Sequence, residues 1–293
     1  MNAKDGAMGL RSWWLIGSAS LLVVAGWACA TDDADNESAK DPVAAGDYGE
    51  LGDDDGNDDA AATDDDTDAA VACDDFEGTE PVSRALEPLF DAEYYAEQSS
   101  LYFDTIDIDS PLDLRPEYAE LVARWEWPPW WKLTAYTRDA IEVTDRLLRI
   151  LSPSTIPERD CRFFAEQPFG RCHVVFYYDG EPCPIYEEFT FNNQGEVTFV
   201  EAWSDIPGLL PYDDPEDAWA EGEDVNRLST RIPGLGKSSG RIDVDGACMA
   251  QVAAEDADVA DFVKRAHRPW FYWTGEYFGN PESFAQGCGW ETR

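Results

Sequence analysis

Residues 172–205 read as three consecutive strands with both connecting turns spelled out, and no other stretch of the chain constrains the fold as tightly. Residues 172–178 are rich in Val, Phe and Tyr, and Asp179-Gly180 is a two-residue hairpin signal. Residues 183–191 return, Asn192-Asn193-Gln194-Gly195 turns the chain again, and residues 196–205 run back. An Asp-Gly loop pairs Tyr178 with Glu181, and therefore Phe176 with Cys183, Val174 with Ile185 and Cys172 with Glu187. Gly195 fits the left-handed position of a three-residue loop with a bulge. That turn predicts Phe191 opposite Val197, Phe189 opposite Phe199, Glu187 opposite Glu201 and Ile185 opposite Trp203. One face then carries Val174, Phe176, Ile185, Phe189, Phe191, Val197, Phe199 and Trp203. It is apolar except for Glu187, Glu201 and, at the strand end, Asp205.

Two carboxylates opposed on an apolar face cannot both stay charged cheaply, so one of Glu187 and Glu201 is expected to hold its proton above the usual range. That chemistry suits a general acid and base. Arg138, Arg146 or Arg149 from a covering helix would instead tie the pair into a buried structural network. A register slipped by one residue would turn both outward. These three readings stay open at the level of sequence. His173 alternates onto the opposite face beside Tyr186 and reads as a surface histidine.

Before the strands, residues 81–101 read as a helix bearing Leu86, Leu89 and Phe90. A Trp- and Pro-rich bend over residues 125–131 leads to a second helix, residues 132–151. There Leu133, Tyr136, Ala140, Leu147, Leu148 and Leu151 recur at three-to-four spacing until Pro153 and Pro157 stop it. After residue 206 come Pro-rich loops, a short helix near 215–230 and a helix over 256–267. An aromatic tail (Trp270, Phe271, Tyr272, Trp273, Tyr277, Phe278) is expected to pack on the body.

The run EEFTFNNQGEVTFVEAWSD, from Glu187 to Asp205, resembles the paired strands of NTF2-like proteins, especially the SnoaL-like branch. There a strand ending in Phe-x-Phe meets an Asn/Asp-rich turn with Gly and a strand of the form x-Val-x-Phe. The resemblance covers residues 160–207, and residues 81–151 fit it by order of elements. It implies an α+β fold, a curved antiparallel sheet packed against helices as a cone, whose concave face encloses a pocket. Some members use that pocket for catalysis and many only to bind or to dimerise. By the resemblance, Glu187, Glu201 and Asp205 are the candidate catalytic residues, Asp205 being similar to the acid that some SnoaL-like cyclases use as a base. Phe189, Phe199 and Trp203 would line the site. The implied partners are a small apolar ligand or a second copy in a homodimer.

The N-terminal part constrains location. Lys4 and Arg11 precede an apolar run of about sixteen residues, which suits a signal peptide and is short for a spanning helix, which needs about twenty. Gly26-Trp27-Ala28-Cys29 resembles a bacterial lipobox, with cleavage before Cys29 and lipid on its thiol. Ala28-Cys29-Ala30 is also an ordinary small-x-small cleavage site, which would release the chain. Residues 31–75 hold eighteen acidic side chains against Lys40 alone and almost no large apolar group, so they are expected to form a disordered, extended tether. Asp53-Asp54-Asp55-Gly56 is not a calcium loop, because Leu51 and Ala62 occupy two required ligand positions. The domain reading is therefore signal peptide 1–28, lipidated Cys29 and tether 29–80, NTF2-like domain 81–207 and a C-terminal extension 208–293 packed on it.

Residues 76–293 contain 42 acidic and 18 basic side chains, a balance that repels phosphate backbones and argues against nucleic-acid binding. With Cys29 assigned to lipid, six cysteines remain, an even number that in an exported chain argues for up to three disulfides. Cys161 and Cys172 are the favoured pair, since Pro168-Phe169-Gly170 can turn the chain between them. No spacing resembles a zinc site and no cofactor is expected. Gly234 to Gly240 lacks the first glycine of a phosphate loop, Arg231 standing in its place. No Ser or Cys has a recognisable nucleophile pattern.

The expected protein is an exported lipoprotein of a bacterial periplasm or cell surface, anchored to the membrane through lipid, whose domain binds a small apolar ligand or a protein without catalysis. The alternatives are a cyclase- or isomerase-type enzyme using the three carboxylates, and a structural interaction module of the cell envelope. Mass spectrometry of the membrane fraction is expected to find Cys29 diacylated at the mature N-terminus. A soluble mature chain beginning at Thr31 would refute the anchor.

Overall fold

A computed structural model describes residues 87–165, 169–206, 217, 219–220, 225–232 and 242–290. The signal peptide, the acidic tether and the 234–240 loop lie outside these residues. The fold is α+β, with a curved, open, six-stranded sheet and, among the described residues, six helices.

Helix α1 spans Ala92–Asp104. Asp91 caps it by accepting the Tyr94 backbone N–H at 3.0 Å. Its buried side chains, Tyr95, Gln98, Ser99, Tyr102 and Phe103, fall at i, i+3, i+4, i+7 and i+8, one stripe facing the sheet. The helix begins after Leu89 and Phe90 rather than including them, because Asp91 is in extended conformation. Phe90 packs instead over Gly195, which has φ +81°; a Cβ there would fall 2.2 Å from the Phe90 ring. Helix α2 spans Arg138–Leu151 with Thr137 as its cap, and it buries Ile141, Thr144, Asp145 and Leu148.

The six strands are β1 (Tyr118–Glu126), β2 (Ala135–Tyr136), β3 (Thr155–Phe163), β4 (Gly170–Tyr178), β5 (Glu181–Phe191) and β6 (Val197–Ser204). They lie in the order β2-β1-β6-β5-β4-β3. The sheet is not wholly antiparallel, since β1 runs parallel to β6. Strands β1, β2 and β3 are additional to the three expected. Residues 118–126 mix Ala, Leu, Glu and Arg, which favour helix as readily as strand. Residues 132–137 form no helix because the Ala135–Tyr136 bridge to β1 holds them extended.

The β4–β5 hairpin has the expected register, with Tyr178 opposite Glu181 and Cys172 opposite Glu187. Asp179 and Gly180 both take positive φ, as a tight primed turn requires. The β5–β6 register agrees only at Phe191 opposite Val197. Thr198 is then an extra residue, and beyond it Thr190 pairs with Phe199, Glu188 with Glu201 and Tyr186 with Trp203. Thr198 donates its hydroxyl to the Thr190 carbonyl at 3.1 Å. One added residue exchanges the two faces for the rest of β6.

Both faces of the sheet are covered. On one, Val174, Phe176, Ile185, Phe189, Phe191, Val200 and Ala202 pack against Tyr95, Tyr102 and Phe103 of α1 and Ile141 and Leu148 of α2. On the other, Ala123, Trp125, Tyr186, Phe199 and Trp203 meet Leu228, Ile232, Ile242 and Val244. That second layer is completed by Met249 of α3 (Ala247–Glu255) and by Val259 and Phe262 of α4 (Ala257–Ala266). The aromatic tail forms α5 (Pro269–Gly279) and α6 (Pro281–Gly287). Trp273 and Cys288 from this end join the first core. Of the expected 215–230 helix, residues 217, 219–220 and 225–230 are described and are not helical.

Disulfides join Cys161 to Cys172 across β3 and β4, and Cys183 to Cys288. Cys248 is also disulfide-bonded. The Cys183–Cys288 link closes 105 residues, worth about 4.7 kcal/mol on the chain-entropy model. Replacing both with Ser is expected to lower the urea unfolding free energy by several kcal/mol, and non-reducing peptide mapping of the native chain should recover both pairings.

Candidate functional site

The bulge at Thr198 separates the residues that the sequence placed together. Glu187 and Phe189 face α1 and α2, whereas Glu201, Phe199 and Trp203 face the C-terminal layer. Asp205 follows Glu201 and Trp203 on that second side, where its carboxylate lies 2.8 Å from His173 Nδ1. The three candidate acids therefore do not form one constellation, and the three candidate lining residues do not bound one pocket. His173, read as a surface residue, is half-buried between Tyr186 and Trp219.

Around Glu187 the sheet and helices bury a second set of polar groups. Arg124 and Glu126 point inward from β1, Asp145 from α2 and Tyr102 from α1. Arg124 is buried and donates through Nη2 to Glu126 Oε1 at 2.8 Å and through Nη1 to the Tyr102 hydroxyl. Its Nη1 also lies 3.9 Å from Asp145 Oδ1. Thr105 donates to Asp145 Oδ2 at 2.8 Å, and the Leu133 N–H reaches Glu126 Oε2 at 3.3 Å. Glu187 is fully buried and neither of its oxygens has a hydrogen-bond partner.

One guanidinium thus stands among three buried carboxylates, bonded to Glu126, 3.9 Å from Asp145 and hydrogen-bonded to neither oxygen of Glu187. Burial pushes Glu187 up to about 8, against the pull of Arg124 and with help from Glu126 and Asp145. Burial likewise lifts Asp145 to about 6, opposed by Arg124 and Thr105. Glu187 is consequently a neutral carboxylic acid at pH 7. The expected arginines do not serve it: Arg138 donates to the Tyr118 carbonyl, Arg146 pairs with Glu142, and Arg149 binds the carbonyls of Asp104, Ile108 and Ser110.

The carboxylates on the other face are well supplied with donors. Glu201 accepts Trp127 Nε1 at 3.0 Å and the Leu228 and Ser229 backbone N–H groups at 2.5 and 3.1 Å. Glu188 receives Arg227 as a two-pronged pair at 2.6 and 2.7 Å and the Tyr186 hydroxyl at 2.7 Å. These contacts fasten residues 227–229 to the sheet. They act as attachment points for that segment.

Open space is distributed unevenly. The cavity between the first face and its helices is about 30 Å³, lined by Arg124, Glu126, Leu133, Phe176, Tyr178 and Ala202 among others. That is room for one or two water molecules. A cleft of about 510 Å³ lies outside the core, between the Trp127–Lys132 turn and helices α4, α5 and α6. Pro128, Pro129, Trp130 and Lys132 form one wall, and Arg265, Glu276, Asn280, Ser283 and Gln286 the other. Its walls are held firmly: Trp130 packs on Gly287, where a Cβ would fall 2.7 Å from the ring. Trp131 stacks on Phe284 at 4.6 Å and donates to the Asn280 carbonyl at 3.0 Å.

Of the inner cluster, Glu187 was legible in sequence. Asp145 shares its buried helical face with Ile141, Thr144 and Leu148, whereas the spacing read from the sequence centred the stripe on Ala140, Leu147, Leu148 and Leu151 and so missed it. Arg124 and Glu126 required β1 to be recognised as a strand. The cleft joins residues more than 150 positions apart, and no local pattern marks it. Among the described residues, no group of three or more His, Cys, Asp or Glu could hold a metal ion. Comparison with known protein families and with characterised proteins finds no match to this chain.

The buried acid sets the pH response. In the fold Glu187 keeps its proton to about 8, while the unfolded chain releases it near the ordinary 4.5. Stability from this group is therefore full below the unfolded value and lost as pH rises through about 8. The melting temperature of the native chain should fall between about pH 5 and pH 9. Glu187→Gln should flatten that slope and equal or exceed the native chain at pH 9, because Arg124 keeps Glu126 and Tyr102. An unchanged slope in the variant would refute the assignment.

Proposed function

We propose that this chain is an exported, lipid-tethered binding protein whose SnoaL-like α+β domain holds a small ligand without catalysis, in the cleft beside the Trp127–Lys132 turn. One contrast carries this reading: the space under the helices admits only one or two waters, while the outer cleft, open to solvent, offers about 510 Å³ beside it. Its walls mix apolar rings with charged and amide groups, which suits an amphipathic ligand. The small volume of the interior supports a site away from the concave pocket that the family resemblance implies. The N-terminal sequence supports the location: an apolar leader, a cysteine and a long acidic spacer would hold such a domain away from a membrane surface.

A second reading has one observation in its favour. Glu187 is a neutral, unpaired acid of the kind general acids need. Catalysis through it would require a path into the core.

Backbone amide shifts in solution, recorded against a library of small amphipathic compounds, should separate the two. Binding in the cleft predicts shifts at Lys132, Glu276, Asn280 and Gln286, with Glu187 and Ala202 unmoved. Shifts centred on Glu187 would favour the enzyme.

A further inference from the structure

We infer that the cleft takes a neutral, hydroxyl-rich ligand, a short oligosaccharide, an assignment that rests on the binding reading above. The first observation is that the charges lining the cleft cancel locally. Asp261 bridges Lys132 Nζ at 3.0 Å and Arg265 Nε at 3.1 Å. Arg265 Nη2 then reaches Glu276 Oε1 at 2.7 Å, and its guanidinium lies over Tyr272. Two cations and two carboxylates form one continuous chain of ion pairs beside the cleft. An anionic ligand finds no surplus of cation there, and it also meets the long-range field of a strongly acidic chain. A cationic ligand would have to compete with Lys132 and Arg265 for the same two carboxylates.

The second observation is what these ion pairs leave available. Glu276, which lines the cleft, uses Oε1 for Arg265 and retains Oε2 as an acceptor. Lys132 uses one N–H for Asp261 and retains others. Gln286 is exposed, and among the described residues its amide makes no hydrogen bond. Donors and acceptors thus stand side by side. A hydroxyl both donates and accepts, so vicinal hydroxyls can engage such a mixed set without carrying charge. Beside Lys132, and across from Glu276 and Gln286, the exposed Pro128 and half-buried Pro129 offer a rigid apolar surface for the C–H face of a sugar ring. A fatty chain would instead leave the Glu276, Lys132 and Gln286 groups desolvated and unmatched.

The test uses the mature full-length protein. A broad array of neutral glycans, including gluco-, galacto-, manno- and N-acetylglucosamine-based oligosaccharides, is screened first. Hits are then titrated by calorimetry and by amide chemical shift, beside hexuronate oligosaccharides of matching length and a medium-chain fatty acid. The expected result is binding of at least one neutral glycan, with shifts at Lys132, Glu276 and Gln286 and at least tenfold weaker binding of its uronate counterpart. Gln286→Ala, an exposed change, should weaken that glycan at least tenfold with the melting temperature unchanged. Tighter binding of the uronate or the fatty acid overturns the assignment, as does the absence of any neutral glycan hit. If cleft resonances respond to the fatty acid or to charged fragments alone, the binding reading stands and the saccharide assignment falls. If no probe moves them, both fall.

Discussion

The extra residue at Thr198 governs how the two sides of this sheet are built. Strand β6 lies between β1 and β5 and is buried along its whole length, so every side chain it carries must be accommodated on one face or the other. Without the bulge, Glu201 would oppose Glu187 under α1 and α2, where a single arginine already stands among three carboxylates. With it, small Ala202 stands opposite Glu187, and Glu201 turns to the face where three N–H donors await it. The register thus divides the acids according to where partners exist, as the cost of an unpaired buried charge demands.

Fastening of the C-terminal extension follows from that division. Glu188 and Glu201 become paired anchors for residues 227–229, which close the second face over Phe199, Trp203 and Tyr186. At the opposite end of the extension, the Cys183–Cys288 bond, the Ser204 hydroxyl on the Gly287 carbonyl and Tyr277 on the Leu151 carbonyl fix helices α5 and α6 beside the first core. Placed there, α6 faces the Trp127–Lys132 turn across the cleft. The proposed binding site is therefore a product of the extension and not of the sheet's concave face.

The interior retains one poorly answered group. Glu187 is buried and its carboxyl oxygens have no hydrogen-bond partner, and it is tolerated because it can remain protonated at neutral pH. A neutral carboxyl costs far less to bury than a charged one. Arg124 stays charged by spending its donors on Glu126 and the Tyr102 hydroxyl. The cluster is a buried polar network with a pH-dependent member, beside a cavity of about 30 Å³.

Local chemistry determined a good deal of this protein. Asp179-Gly180 set the β4–β5 register through its turn geometry. The Cys161–Cys172 bridge follows from two cysteines brought opposite each other by a short return, and the existence of α2 was readable from its spacing, although of the stripe expected within it only Leu148 is buried and Ile141, Thr144 and Asp145 complete the buried face. Charge composition argued against a nucleic-acid partner. Tertiary structure decided what depended on distant partners. Strand β1 exists because β6 is there to pair with it in parallel, and Ala, Glu and Arg would have accepted a helix otherwise. The Thr198 bulge could not be read from its turn, because the energy that selects it comes from Trp127, Leu228 and Ser229 meeting Glu201. The cleft likewise draws its two walls from segments more than a hundred residues apart. Turns and periodicities are set by neighbours along the chain, whereas the placement of a buried charge is set by whatever the rest of the fold brings to it.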